Sequence, residues 1–68
     1  MSSADYLTEA ELAAKQDEMK ANKADAEQKL KEAEETHGED SELALYYKAL
    51  VESYDKQIDA YDKAIRSR

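Results

Sequence analysis

The sequence predicts an all-α fold, an antiparallel two-helix hairpin (αα-hairpin), on three observations. First, the 68 residues contain no Pro, a single Gly and 40% charged residues. With abundant Ala, Glu, Lys and Gln this composition favours long helices over sheets. Second, the chain carries one turn signal, Thr36-His-Gly-Glu-Asp-Ser41. Third, a five-residue unit recurs at a spacing of seven in the second half: Tyr47-Lys-Ala-Leu-Val51, Tyr54-Asp-Lys-Gln-Ile58 and Tyr61-Asp-Lys-Ala-Ile65. Positions three and four apart share a helix face, so Tyr47, Val51, Tyr54, Ile58, Tyr61 and Ile65 form one apolar stripe. In heptad terms Val51, Ile58 and Ile65 fall at a, and the three Tyr at d.

Taken in order, residues 1–7 read as an amino-terminal tail and residues 8–68 as a single hairpin. Thr8 and Glu11 make a T-x-x-E capping box, in which the Thr hydroxyl accepts from the Glu11 amide and the Glu carboxylate reaches back. Leu7 before the cap and Leu12 after it fit a hydrophobic staple. Helix one is then expected over about 9–36. Glu11/Lys15, Asp25/Lys29 and Glu27/Lys31 stand four apart with the acid first, the stabilising orientation. Its apolar pattern is thin: Leu12, Met19, Ala26 and Ala33 repeat every seven residues with Leu30 beside them, and Gln16 and Lys23 interrupt the line. A second line of Leu7, Ala10, Ala14, Ala21 and Ala24 reads either as a close-packing Ala face for another helix or, the favoured reading, as no more than the helix propensity of Ala.

The turn is expected at 37–40. Gly38 can adopt the left-handed conformation that ends a helix, and Asp40 or Ser41 can cap the next. A connection this short makes the two helices antiparallel neighbours. Helix two is expected over about 41–66, with acids at its positive end and Arg66 and Arg68 at its negative end. Leu43 and Leu50, one position before the a sites, widen its stripe. Tyr46 lies off it. A competing reading with an 11-residue period runs through Leu43, Tyr47, Leu50, Tyr54, Ile58, Tyr61 and Ile65 and suits straighter helices. The two differ in whether Leu50 or Val51 lies at the seam centre, and both side chains are expected to be at least partly buried.

The helices are unequal. Helix one offers only Leu12, Met19 and Leu30 as large apolar residues against the long stripe of helix two. Bulky Tyr facing small Ala is good complementarity, but a lone hairpin of this size is marginal. Completion into a helical bundle, by self-association or by docking on a larger partner, is therefore expected.

Several function classes are disfavoured. There is no Cys for a disulfide scaffold, and a lone His37 is poor material for zinc. The formal net charge is −7, which repels DNA, RNA and anionic membranes. No apolar run approaches the roughly 20 residues of a membrane span. The amino end lacks the basic start and apolar core of a signal peptide, so a cytoplasmic protein, or a component of a particle assembled in the cytoplasm, is expected. Glu34 and His37 make an E-x-x-H spacing, a motif of di-iron bundles. It falls at a helix end, where no facing helices supply further ligands, and no metal or cofactor is expected. The Tyr stripe is flanked by Glu52, Asp55, Asp59 and Asp62, not by the basic residues that frame base-stacking sites. No nucleophile–base pair or Gly-rich phosphate loop points to catalysis.

The function expected is that of a non-enzymatic protein–protein interaction module. Its stripe comprises Leu43, Tyr47, Leu50, Val51, Tyr54, Ile58, Tyr61 and Ile65, packing on Leu12, Met19 and Leu30 or on a second copy. The alternative rests on carboxylates every seven positions, Glu11, Glu18, Asp25 and Glu32. These would make an acidic inhibitor or nucleic-acid mimic for a basic protein cleft, of the sort small viral or mobile-element proteins provide. Five Lys on helix one (15, 20, 23, 29 and 31) dilute that field.

Overall fold

A computed structural model describes residues 8–67, and it contains two helices, α1 (Glu9–His37) and α2 (Glu42–Arg66), packed side by side along their length. The expected tail, the staple residue Leu7 and Arg68 lie outside the described residues. The hairpin is a rod of 46 × 17 × 15 Å, its long axis set by a 29-residue helix rising about 1.5 Å per residue.

Each helix begins where a side chain satisfies the free amides of its first turn. Thr8 is the N-cap of α1. Its Oγ1 accepts from the Glu11 amide at 3.1 Å, and its own amide donates to Glu11 Oε1 at 3.4 Å. Both halves of the capping box are present. Ser41, and not Asp40, caps α2, its Oγ accepting from the Ala44 amide at 3.2 Å.

The chain reverses over Gly38–Ser41, one residue later than the sequence suggests. Gly38 has a positive φ, but with φ 98° and ψ 155° it is extended and not in the left-handed helical well. Its amide closes the last turn of α1 on the Glu34 carbonyl at 2.9 Å. Its carbonyl accepts from both the Ser41 amide (3.2 Å) and the Ser41 hydroxyl (2.8 Å). Because that carbonyl must point at Ser41, the backbone cannot relax into the more compact left-handed shape.

Two polar contacts link the helices across the seam. Gln16 Nε2 donates to the Ile58 main-chain carbonyl at 3.1 Å, and Lys23 Nζ pairs with Asp55 at 2.6 Å. Gln16 and Lys23 interrupt the apolar line of α1, and these links are what the interruptions do. In this antiparallel register Leu12 lies beside the last turns of α2 and Ala33 beside its first.

The packed centre is small. Leu12, Ala26, Ala33 and Ala44 are the buried apolar residues among those described, and Ala44, at 1% exposure, is the most enclosed. Three of the four are alanines, so the helix axes approach closely and the larger side chains are displaced to the edges of the seam.

Candidate interaction surface

Every residue of the Tyr/Ile stripe of α2 is half-buried: Tyr47, Val51, Tyr54, Ile58, Tyr61 and Ile65 are partly covered by α1 and none is enclosed. Met19, Leu30 and Leu50 are half-buried as well, while Leu12 is buried. Leu43 departs from the expected stripe: it is 43% exposed. At the turn the small Ala33 and Ala44 fill the seam, which leaves the neighbouring Leu on the outside. Ala44 takes the inner place that the sequence reading did not assign, although it stands seven residues before Val51 in the same heptad line. That line, Ala44, Val51, Ile58, Ile65, is the seam side of α2. Leu50 instead lines a groove beside it, with Tyr46, Tyr47 and Tyr54.

The two edges of the hairpin differ in chemistry. Gln16, Lys23 and Leu30 recur every seven positions and so share one edge of α1. Both inter-helix polar contacts lie on that edge. The adjoining surface of α2 is charged and internally paired, with Lys63–Asp59 and Arg66–Asp62 at 3.0 and 3.1 Å. The Lys23 ammonium hydrogen-bonds Asp55, which raises its pKa above the usual 10.5 against a smaller opposing effect of desolvation.

The other edge is an open trough. Near the turn it is a depression of about 540 Å³ lined by His37, Ser41, Glu42, Leu43 and Tyr46. Leu43 is shared with a second depression, of about 340 Å³, where it meets Lys29, Glu32, Thr36 and Tyr47. Lys29 and Tyr47 continue into a third, of about 210 Å³, with Asn22, Asp25, Leu50 and Tyr54. All three are open to solvent. Tyr46, 59% exposed, stands over the trough with its ring edge-on to Tyr47 at 5.1 Å between centroids. Leu45, 51% exposed, stands on the same seven-residue line as Glu52, Asp59 and Arg66, on the charged edge.

The acidic line of α1 forms the opposite bank of this trough. Asp25 and Glu32 line it directly, and Glu18 and Glu11 continue the same seven-residue repeat. Three of these four carboxylates are engaged within the chain. Glu11 belongs to the capping box, Asp25 pairs with Lys29 at 3.0 Å, and Glu32 accepts from Gln28 Nε2 at 3.2 Å. The Asp25 carboxylate in turn holds the Lys29 ammonium above its usual 10.5. Of the other expected pairs along α1, Glu11–Lys15 and Glu27–Lys31 form no ion pair among the described residues.

Glu34 and His37 are not joined by further ligands: no group of three or more His, Asp or Glu able to hold a metal occurs among the described residues. No helix among them is long and apolar enough to cross a membrane. Comparison with protein-family models, with curated proteins and with solved structures gives no match.

Proposed function

We propose that the chain is a non-enzymatic protein–protein interaction module, a helical hairpin whose second helix completes its packing on another helix. That helix comes from a second copy or from a larger assembly. One observation carries the reading: six large side chains of α2, from Tyr47 to Ile65, are each left half-covered by an α1 whose seam is mainly Ala. Apolar area left in water is the driving force still available for association, at about 25 cal/mol per Å² removed. The alternative, an acidic mimic for a basic cleft, has less support because five Lys along α1, with Lys29 paired to Asp25 among them, dilute its charge.

The test is solution mass by light scattering over a concentration series, with circular dichroism on each sample. A helical oligomer that loses helicity on dilution supports completion by a second copy. A partly helical monomer that gains helicity when an amphipathic helical peptide is added supports completion by a partner. A fully helical monomer with a cooperative melt, indifferent to both, overturns the reading.

A further inference from the structure

We propose that the trough beside Leu43, Tyr46, Leu50 and Tyr54 is the docking site for a basic amphipathic helix of a different protein. The inference rests on the module reading and specifies its occupant. The floor and outer bank come from α2, where helical spacing lines up residues 43, 46, 47, 50, 53, 54, 57 and 61. These are Leu, Tyr, Tyr, Leu, Ser, Tyr, Gln and Tyr, all uncharged, and Glu42 at the turn is the charged residue of α2 that lines the trough. From Leu43 to Tyr54 this surface runs about 17 Å, three turns of helix. An apolar stripe at i, i+3, i+4 and i+7 on a partner helix fits such a surface.

The inner bank is acidic. Glu18, Asp25 and Glu32 recur along it, with Lys29 neutralising Asp25. Of the residues that line the trough, a second copy offers these carboxylates only Lys29 as a lysine, and that ammonium is already paired with its own Asp25. Turned one way, it covers them with the uncharged edge of its own α2. Turned the other way, it sets its own acidic bank against them. The lysines of α2, Lys48, Lys56 and Lys63, fall outside the edge that faces the trough. A copy therefore strips water from carboxylates without pairing them, or brings like charges together, and both cost free energy. A helix with Lys or Arg along one border of its apolar stripe pairs the bank and covers Leu43 and Tyr46 at once. The opposite edge of the hairpin carries charges of both signs, three pairs of them matched within the chain, and so presents no acidic bank to a basic helix.

The full chain, labelled for amide NMR, is titrated with two designed helical peptides of about five turns. They share one Leu/Ala stripe. One borders it with Lys and Arg, and the other has Glu at each of those positions. The basic peptide is expected to bind one to one, to shift the amides of Leu43, Tyr46, Leu50, Tyr54 and Glu32, and to bind about tenfold more tightly than its acidic counterpart. Glu18→Lys with Glu32→Lys, shown by circular dichroism to remain helical, is expected to reverse that order. Equal binding of the two peptides, or shifts centred on Lys23 and Asp55, overturns the docking site while leaving a module of some other geometry. A dimer whose dissociation moves the same trough amides also overturns it, in favour of a second copy. If neither peptide binds and the chain is a stable helical monomer, both the docking site and the module reading fail.

Discussion

Gly38 is held at φ 98° and ψ 155°, a region essentially confined to glycine and costing other residues about 1–3 kcal/mol. A Cβ placed there meets nothing within 4 Å, so the penalty of a side chain is one of backbone strain alone. Gly38→Ala is therefore expected to lower stability by about 1–3 kcal/mol in urea unfolding. Inverting the chirality reverses the strain, and a D-alanine at this position in a synthetic chain should restore most of the loss. If the L and D forms unfold alike, the turn has another conformation in solution. Ser41 is the second keystone, accepting from Ala44 and donating to the Gly38 carbonyl. Ser41→Ala should cost about 1 kcal/mol, and Ser41→Asp, which can accept but not donate, should recover only part of it. The helix stop at Gly38 is readable from residue type, and the start at Ser41 is readable as one of two candidates beside Asp40. The exact backbone well is not, because it depends on where the Gly38 carbonyl must point.

Within each helix the apolar period identified a face, but the rotation of α1 against α2 is a property of the pair. That is why the pattern assigns no role to Ala44 and sets Leu43 within the stripe: in a sequence rich in Ala, a buried alanine looks the same as one present for helix propensity. The same limit hid the role of Gln16 and Lys23, which read as breaks in a stripe and prove to be the links to Ile58 and Asp55. Polar groups in a helix seam select register at some cost in stability. Gln16→Leu with Lys23→Leu is thus expected to raise the urea midpoint and to loosen the alignment. Spin labels on the exposed Ala21 and Ser53 would report the second effect as a broadened distance distribution by pulsed electron resonance. A distribution as narrow as that of the parent chain would show that apolar packing alone sets the register. The Lys23–Asp55 pair also has a pH signature. Since the Lys23 pKa is raised in the folded state, its stabilisation is complete below about 10.5 and lost as pH climbs through the raised value. Asp55→Asn should then lie below the parent chain in urea midpoint at pH 7, and the gap should begin to close as pH rises past about 10.5. A gap that does not change as pH passes that value would remove the ion pair from the account.

Across the whole molecule, charge and apolar surface pull in different directions. The chain carries 17 acidic and 10 basic side chains, and two copies repel each other before any apolar contact forms. Leu43, Leu45 and Tyr46 nonetheless remain in water at exposures of 43, 51 and 59%. Composition announced the repulsion and the stripe announced the surplus of apolar surface. Their arrangement around one trough, with the mostly uncharged edge of α2 facing the acidic line of α1, emerges only when the helices are set side by side. Salt distinguishes the two ways of covering that surface. Raising ionic strength from about 0.01 M to about 0.15 M shortens the screening length from roughly 30 Å to roughly 8 Å. Screening weakens repulsion between like-charged copies, so a homodimer held by the trough should tighten with added salt. It also weakens attraction between the acidic bank and a basic helix, so a heterologous complex should loosen. The trend in dissociation constant with salt therefore has opposite signs in the two cases. Sedimentation velocity on the chain alone, and fluorescence anisotropy with the basic peptide, read the two trends directly. We expect no dimer at low salt and a peptide complex that weakens several-fold over this range. A dimer that strengthens with salt, beside a peptide complex indifferent to it, would assign the trough to a second copy of the chain.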